Sequence, residues 1–334
     1  MNQDVSICVL SENEMGWTEP FELDEVQILD TYYLAAQKSD IAFLKKMDTA
    51  RLLAGFRTTA GIDTKGVRPY GGWEDSLLGG HCVGHYLTAI AQAVKATGDE
   101  ELKEKSQVLI EGLEECQRKL GTGFLFGAKV EDKEDVEKQF DILEGKKKGE
   151  TWVPWYNMHK VLAGLIDTYK YTENETALLI AEKLGDWIYE RVSKWDLKTN
   201  QKVLETEYGG MNDCLYELYS YSHNKHHLEA AQKFDEKALF LMAAKGEKNC
   251  LDGKHANTQI PKFIGAIKRY NVLKQLGEAK QDDEAYLADA EKFFEMVVKR
   301  HSFVTGGISV MEHFRKDYHL DEVRTQTNCE SCCA

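Results

Sequence analysis

The feature that most constrains the fold of this chain is a series of paired amphipathic segments. Their apolar residues recur with a period near 3.6 rather than 2, which predicts helices and not strands. A short polar or glycine-containing turn separates the members of each pair, which predicts helical hairpins. Four hairpins are predicted over residues 86–113, 158–192, 212–242 and 260–298, and two earlier helices over 26–36 and 41–56. Because only four prolines occur in 334 residues, the chain is predicted to be all-α.

A glycine-rich or polar segment precedes the first helix of each hairpin. These segments are 79–85, 155–159, 209–212 and 255–259, and a similar glycine pair at 306–307 leads to Glu312. From segment 155–159 onward they recur roughly every 50 residues, with repeated architecture but little repeated sequence. Hairpins repeated in this way either close into an (α/α)6 toroid or stack as an open solenoid, and we expect the toroid. Its helix starts would share one rim, where backbone N–H groups and polar side chains form a pocket.

The same pattern predicts how the chain is divided. Residues 1–23 are predicted to form an extended lead-in, and residues 24–334 an (α/α)6 barrel. About ten helices are recognisable by their period, whereas six hairpins contain twelve. The barrel is therefore expected to be incomplete, truncated before its last hairpin. The charged stretch 129–148 is predicted to be a solvated surface loop.

Charge and composition exclude several classes of function. The chain carries 56 acidic and 42 basic residues, a net charge of −14, and it has no basic stripe. We therefore expect no nucleic-acid partner and no binding to membranes. No apolar run approaches the ~20 residues of a membrane span, and the N-terminus lacks a secretory signal pattern, so a cytoplasmic location is expected. The eight cysteines are then expected to be free thiols or metal ligands.

Two acidic positions near the C-terminal end of the sequence are candidates for chemistry. Glu312 follows a Gly-Gly turn and stands beside His313 and Phe314, which suits a general acid, although a plain surface glutamate has the same pattern. Glu330 and Cys332 are separated by one residue. Both could reach one Zn²⁺, which accepts carboxylate oxygen and thiolate sulfur. A run of buried cysteines at a helix start would look the same.

Polar and aromatic residues at the predicted rim suit a pocket for a sugar. His159 and His255 each begin a helix, and Asn257 follows closely. Such side chains hydrogen-bond hydroxyl groups, and the ring of Trp73 could stack on a sugar face. The simpler interpretation is that a histidine at a helix start is a cap or a structural residue. Sequence motifs for dinucleotide binding, phosphate loops, zinc proteases and serine hydrolases are absent from the sequence.

Six motifs occur in an order that is typical of one known family. They are Arg51-Leu52-Leu53-Ala54-Gly55-Phe56-Arg57, Pro69-Tyr70-Gly71-Gly72-Trp73-Glu74, Gly80-His81 with Gly84-His85-Tyr86-Leu87, Trp155-Tyr156-Asn157-Met158-His159-Lys160, His255-Ala256-Asn257-Thr258-Gln259-Ile260-Pro261, and Thr305-Gly306-Gly307-Ile308 with Glu312-His313-Phe314. From about residue 24 to the end, the chain resembles the β-L-arabinofuranosidase family, glycoside hydrolase family 127, and its close relatives.

This resemblance implies an (α/α)6 catalytic barrel followed by β-sandwich domains. It implies a retaining glycosidase that acts on an L-arabinofuranosyl oligosaccharide or glycan. Matched residue by residue, Glu312 falls at the acid/base, and Glu330 and Cys332 fall on a Glu-X-Cys pair that binds Zn²⁺. His159 and His255 fall near histidines that contact the sugar.

The resemblance also implies a cysteine thiolate nucleophile on zinc, placed well beyond the Glu-X-Cys pair. No residue of this sequence matches it. The chain is therefore expected to be a fragment that lacks the nucleophile region, with an incomplete zinc site and doubtful activity.

Two other functions fit the same residues. A sugar epimerase on a similar barrel would use His159 and His255 as its acid and base, and it would need no zinc. A non-catalytic carbohydrate-binding barrel would bind sugar without turnover. Measurement of bound metal distinguishes the epimerase from the glycosidase. Measurement of substrate turnover distinguishes the non-catalytic barrel from the glycosidase.

Overall fold

A computed structural model describes residues 20–130 and 132–320, together with the backbone of residues 326–327. Helices dominate this part of the chain, so the all-α prediction is confirmed. The α-helices are α1 Thr31–Lys46, α2 Thr49–Thr59, α3 His81–Thr97, α4 Glu100–Leu120, α5 Lys138–Leu143, α6 Pro154–Thr172, α7 Glu175–Val192, α8 Leu197–Leu204, α9 Met211–Ser222, α10 Lys225–Lys233, α11 Lys237–Ala244, α12 Ala256–Gln275 and α13 Gln281–His301. Two 3-10 turns, Leu23–Glu25 and Gly72–Asp75, precede α1 and α3.

The only sheet within the described residues is a pair of two-residue strands. β1, Ser309–Val310, pairs with β2, Gln326–Thr327, in antiparallel register. Ser309 is opposite Thr327, and Val310 is opposite Gln326. Most of the predicted lead-in, residues 1–19, lies outside the described residues.

Each of the four predicted hairpins forms. α3 packs on α4, α6 on α7, α9 on α10, and α12 on α13, while α3, α6, α9 and α12 pack side by side in that order. The hairpin turns follow ordinary capping chemistry: Asp99, Asn174 and Asn224 accept backbone N–H bonds at the starts of α4, α7 and α10. The first helix of each pair therefore forms an inner layer and the second an outer layer, as in an (α/α) toroid.

Three predicted helices have the wrong bounds. The first helices run over α1 and α2 rather than 26–36 and 41–56, because Asp30 and Asp48 cap them: each carboxylate accepts two backbone N–H bonds. The helix predicted over residues 228–242 is broken into α10 and α11 at Phe234 to Glu236. There Asp235 turns inward and accepts bonds from Tyr216 and Arg269. A continuous apolar period does not reveal such an inward carboxylate.

The charged stretch 129–148 is not a solvated loop. It contains α5, whose Phe140 is fully buried against Phe124, Trp155 and Trp187. Three of its acidic residues bind one buried guanidinium. Arg191 contacts Glu137 at 3.0 Å, Asp141 at 2.5 Å and Glu144 at 2.6 Å. The high charge of this stretch does not make it a solvated loop, because three of its carboxylates contact the Arg191 guanidinium on α7 instead of water.

The inner helices approach most closely where α3 crosses α6. A Cβ atom added to Gly84 would lie 1.9 Å from the carbonyl oxygen of Lys160, and one added to Gly164 would lie 2.5 Å from the carbonyl oxygen of Gly84. Only glycine permits this backbone contact, since any side chain would push the helices apart. The crossing brings His85, next to Gly84 on α3, and Lys160, four residues before Gly164 on α6, to one side of the molecule.

The core is divided in two by polar residues. One apolar cluster extends from α2 to α10, and a second joins α11, α12 and α13 to Ile308 and Phe314. Between them, the Arg269 guanidinium contacts Asp235 and Asp283, both at 2.7 Å. The outer side of the second cluster is an apolar groove of about 450 Å³ between α12 and α13, lined in part by Ile264, Ile267 and Phe294.

Candidate active site

The starts of the four inner helices lie along one rim and are joined in sequence by hydrogen bonds. Three of the bonds link a helix start, or the segment before it, to the next start around the rim, and a fourth links the start of α9 to the second turn of α12. The links are Asn157 Nδ2 to Leu77 O at 3.1 Å, Gly210 N to His159 Nδ1 at 3.0 Å, Asn212 Nδ2 to Lys262 O at 3.0 Å, and Ala256 N to Glu312 O at 2.8 Å. The polar segments that the sequence places before each hairpin therefore share one surface.

Glu312 and His255 are brought into contact at one end of this rim. Glu312 Oε2 lies 3.4 Å from His255 Nε2, and the Glu312 side chain is 58% exposed. Both Met311 and Glu312 have positive φ, 48° and 65°, in a tight turn that a bridge between His255 and His313 holds against α12. Non-glycine residues rarely adopt this conformation, and such strain is concentrated at functional sites. The turn presents the Glu312 carboxylate beside an imidazole and open to solvent.

The other face of His255 is held by two further groups. Its Nδ1 lies 2.6 Å from Thr258 Oγ1 and 4.0 Å from Glu207 Oε2. Glu207 is largely buried, and this burial raises the pKa of its carboxyl above the ordinary value, although His255 and Lys160 act in the opposite direction. The imidazole thus stands between two carboxyl groups, one buried and one exposed.

Basic and aromatic groups continue the rim from Glu207 towards α3. Lys160 Nζ lies 4.9 Å from the centre of the Tyr156 ring, and this ring lies 6.1 Å from that of His81. Burial, with help from the Lys160 and His81 charges, lowers the pKa of His85 to about 4. His85 is therefore a neutral imidazole at physiological pH, able to donate and accept hydrogen bonds.

The start of α3 is an anion site that is already filled by a side chain. Glu74 accepts the backbone N–H groups of Gly80 at 2.9 Å and Cys82 at 3.1 Å, and its carboxylate lies 2.9 Å from His81 Nδ1. Burial raises the pKa of Glu74, but these three partners outweigh it and hold the pKa below the ordinary value. His81 Nδ1 also lies 2.7 Å from the carbonyl oxygen of Leu78, so this nitrogen is held by hydrogen-bonding partners at the start of α3.

An aromatic pair stands at the outer edge of the same rim. Trp73 and Trp152 lie with ring centres 5.3 Å apart, and their side chains are 61% and 43% exposed. Trp73 belongs to the 3-10 turn just before Glu74, so the pair is fixed to the α3 end of the rim. Exposed aromatic faces of this kind suit stacking against the apolar face of a sugar ring.

The remaining predicted residues are placed as follows. His159 is only 7% exposed, and its Nδ1 accepts the N–H of Gly210, so it forms part of the wall beneath the rim. Burial lowers the pKa of His159 well below its ordinary value. Asn257 is half-buried in the first turn of α12. Glu330 and Cys332 lie outside the described residues. Within the part of the chain that the structure describes, no three His, Cys, Asp or Glu side chains form a metal-binding group.

Sequence reasoning missed Glu207 and Lys160. Glu207 is two residues before the Gly209-Gly210 pair, a segment that the sequence marks as a rim lead-in. That signal was available, but no motif distinguishes this glutamate from others, and its importance follows only from its contact with His255. Lys160 directly follows His159 and becomes part of the rim because of the close crossing of α3 and α6.

Beneath the rim, the first turn of α9 buries a carboxyl group. Asp213 has one oxygen without a hydrogen-bond partner among the described residues, and burial raises its pKa from 3.8 to about 6. Since the folded protein then holds this proton more tightly than the unfolded chain does, stability falls as pH rises from about 4 to about 6. The cost of the ionised group at neutral pH is about 3 kcal/mol.

We expect Asp213→Asn to stabilise the chain by about 1–3 kcal/mol at pH 7.5, because it removes this buried charge. Near pH 4 the same substitution should change stability little, since the native carboxyl is already protonated there. Urea unfolding of both proteins at the two pH values measures the difference. If the substitution changed the free energy of unfolding equally at both pH values, the native Asp213 carboxyl would have the same protonation state at both, which contradicts the prediction.

No helix in the described residues is long and apolar enough to cross a membrane.

The sequence model of the β-L-arabinofuranosidase GH127 catalytic domain matches residues 25–334. No protein of a curated set matches the chain.

Two solved structures have a similar fold. A GH127 β-L-arabinofuranosidase from Geobacillus stearothermophilus T6 is 17% identical with a TM-score of 0.60, over 92% of this chain and 51% of its own. A second GH127 enzyme, a β-arabinofuranosidase, is 16% identical with a TM-score of 0.62, over 94% of this chain and 49% of its own. The chain thus spans about half the length of these two proteins. At this identity they show the fold, whereas the match to the catalytic-domain model covers nearly all of the sequence, and the chain therefore belongs to the β-L-arabinofuranosidase family, glycoside hydrolase family 127.

Proposed function

We propose that the rim binds an L-arabinofuranosyl unit of an oligosaccharide or glycan, and that Glu312 is the general acid/base of its hydrolysis. The observation that carries this proposal is the contact of the exposed Glu312 carboxylate with His255 at 3.4 Å, on a rim formed by helix starts. A retaining glycosidase needs a group that protonates the leaving oxygen and later deprotonates water. Glu312 is the exposed rim carboxylate in direct contact with the His255 imidazole, and the family match favours this chemistry over others on the same fold.

The surroundings of Glu312 suit a proton-transfer role. Its backbone carbonyl accepts the N–H of Ala256, which fixes the turn to the first residue of α12. Its side chain faces His255, which Thr258 and Glu207 hold from the other side. The carboxyl is thus oriented by its neighbours and still open to a substrate oxygen. In the first step a nucleophile, which no residue of this sequence matches, would displace the leaving oxygen while Glu312 protonates it. In the second step the Glu312 carboxylate would take a proton from the water that displaces this nucleophile.

The sugar-binding residues of the proposal are distributed along the rim. Trp73 and Trp152 supply a stacking surface, and Asn257, close to His255, supplies amide hydrogen-bonding groups. His159 takes part from beneath, since its ring holds the N–H of Gly210 and so fixes the start of α9. We include Zn²⁺ in the proposal through Glu330 and Cys332, whose side chains are outside the described residues. When bound, zinc would keep a cysteine thiol deprotonated for nucleophilic attack.

The epimerase alternative is less favoured by the geometry. It requires two histidines that exchange protons with a substrate. His159 is buried and its Nδ1 already accepts a backbone N–H bond, so this nitrogen is not free to take a substrate proton.

The proposal is tested by incubating the purified chain with an aryl β-L-arabinofuranoside and following the release of L-arabinose and of the aryl alcohol. Binding of methyl β-L-arabinofuranoside is measured in parallel by calorimetry, and bound zinc by elemental analysis after gentle purification. Binding is expected, together with zinc held in an incomplete site and only slow hydrolysis, because no residue of this sequence matches the thiolate nucleophile that the family resemblance implies. Binding without hydrolysis would instead favour the non-catalytic carbohydrate-binding barrel. Neither binding nor hydrolysis would overturn the proposal.

We further expect Trp73→Ala to weaken binding of methyl β-L-arabinofuranoside about two- to tenfold, the size of a lost stacking contact. The matched control is Tyr32→Ala, which removes an exposed ring from α1 and should leave the affinity unchanged. Calorimetric titration of both variants measures the difference. Equal affinities in the wild type and Trp73→Ala would remove the Trp73 and Trp152 pair from the sugar site.

A further inference from the structure

A second cleft, which no part of the proposed mechanism uses, lies between α8 and the break that separates α10 from α11. We call it the α8–α10 cleft; it has a volume of about 1090 Å³. This is at the upper end of the range for small-molecule sites, so the space exceeds what one sugar unit needs. Its wall includes the residues Trp195, Asn200, Gln201, Leu204, Gln232 and Glu236.

The chemistry of the cleft suits a neutral ligand that is rich in hydroxyl groups. Asn200, Gln201 and Gln232 supply amides, which both donate and accept hydrogen bonds. The acidic residues deepest in the wall are already neutralised: Asp235 by Arg269 at 2.7 Å, and Glu236 by Lys262.

The remaining charges of the wall are mixed in sign. Asp196 and Glu205 stand with Lys198, Lys233 and Lys237 around the opening. The cleft thus offers neither the cationic cluster that would recognise a phosphate nor the anionic cluster that would recognise a cation. An uncharged ligand fits this balance better than a nucleotide or a metal ion.

One buried donor in the wall has no partner. The indole N–H of Trp195 makes no hydrogen bond among the described residues, although the Trp195 side chain is only 6% exposed. A buried donor without a hydrogen-bond partner destabilises the folded chain. Its ring is held by Trp155 and Phe234, with ring centres 5.6 Å away in each case, so the group is fixed in place. The nitrogen is enclosed by protein atoms, so Trp195 offers the cleft an apolar wall rather than a free donor.

The cleft adjoins the proposed catalytic rim. Glu205 lines the cleft and Glu207 contacts His255 on the rim, and Cα atoms two residues apart are separated by at most about 7.6 Å. The wall between the two spaces contains Lys262, whose Nζ lies 4.7 Å from the centre of the Tyr208 ring and 2.5 Å from Glu236 on the cleft side. A substrate of a few sugar units could therefore occupy both spaces.

We infer that the α8–α10 cleft is a second carbohydrate subsite, which binds further neutral sugar units of the glycan whose terminal unit lies on the rim. This inference rests on the proposed function and adds where the further sugar units of its oligosaccharide or glycan substrate are held. The subsite supplies affinity and places the chain of the substrate, and it takes no part in bond cleavage.

The test compares the affinity of the chain for methyl β-L-arabinofuranoside with its affinity for a neutral arabino-oligosaccharide of five units. The oligosaccharide should bind about tenfold more tightly, the effect of two or three net hydrogen bonds. Ala238→Trp, which fills the cleft at an exposed position of its wall, should reduce this ratio to about one. The double variant Gln201→Ala with Gln232→Ala, which removes exposed amides without adding bulk, should reduce it about threefold. Leu179→Trp, at an exposed position of α7 that is not in the cleft wall, is the matched control and should keep the ratio.

The outcomes separate the two proposals. A ratio that falls in both cleft variants and not in the control supports the subsite. If the oligosaccharide binds no more tightly than the monosaccharide, or if the ratio is the same in every variant, the subsite is overturned while binding at the rim still stands. If neither sugar binds the wild-type chain, the proposed function fails, and the subsite fails with it.

Discussion

Replacement of Glu312 by glutamine is expected to lower the hydrolysis of an aryl β-L-arabinofuranoside by a factor of about 10²–10⁴, the usual contribution of a positioned general acid. Glutamine keeps the size of the side chain and a hydrogen-bond acceptor for His255, but it has no proton to give to the leaving oxygen. Binding of methyl β-L-arabinofuranoside should change less than about threefold. Steady-state kinetics and calorimetry on the same preparations measure the two quantities.

The dependence on the leaving group makes this prediction more specific. A substrate with a very good leaving group, such as a dinitrophenyl glycoside, needs little help from an acid. The loss in Glu312→Gln should therefore be far smaller for that substrate than for a simple phenyl glycoside. Glu190→Gln, at an exposed position on the outer helix α7, is the matched control and should keep full activity. A uniform loss for all leaving groups would assign Glu312 to sugar binding or to folding instead of proton transfer.

Replacement of Gly84 by alanine is expected to destabilise the chain by at least about 3 kcal/mol, because the new Cβ would lie 1.9 Å from the backbone oxygen of Lys160. Backbone atoms cannot give way as a flexible side chain could, so α3 and α6 must separate. The free energy of unfolding in urea measures the effect. Gly71→Ala is the matched control, since a Cβ atom there meets nothing within 4 Å, and its stability should change by less than about 0.5 kcal/mol.

The same variant also tests whether the glycine crossing supports the rim. His85 and Lys160 flank the crossing, and their relative position changes if α3 and α6 move apart. Any folded Gly84→Ala protein should therefore bind sugar more weakly than Gly71→Ala does. A Gly84→Ala protein with wild-type stability would show that the helices are not packed as closely as described.

The sequence predicts the helical architecture well because an amphipathic period is a local signal. The hairpins built from α3, α4, α6, α7, α12 and α13 all lie where their apolar spacing predicts them. Prediction from the sequence is wrong where a contact between residues distant in the sequence determines the local structure. The stretch 129–148 is highly charged, yet the guanidinium of Arg191 gathers three of its carboxylates. The break between α10 and α11 likewise depends on Arg269 and Tyr216, which lie far from Asp235 in the sequence.

The candidate site is predictable only in part. Glu312 and His255 are marked by the segments in which they occur, and the structure brings them into contact. The role of Glu207 follows from its distance to His255 and from its burial, neither of which a linear pattern contains. Glu330 and Cys332 lie outside the described residues, so their zinc remains a prediction from family resemblance.

The most direct test of this account is a two-dimensional amide NMR titration of the chain with methyl β-L-arabinofuranoside. The account predicts that the shifted amides belong to the helix starts and to the turn that holds the catalytic carboxyl: Gly80, Gly210, Ala256 and Glu312. Amides at the hairpin turns of the opposite end, such as Gly98, Glu173, His223 and Gly277, should not move. Shifts confined to those turns, with none on the rim, would contradict the claim that the starts of the inner helices form the sugar site.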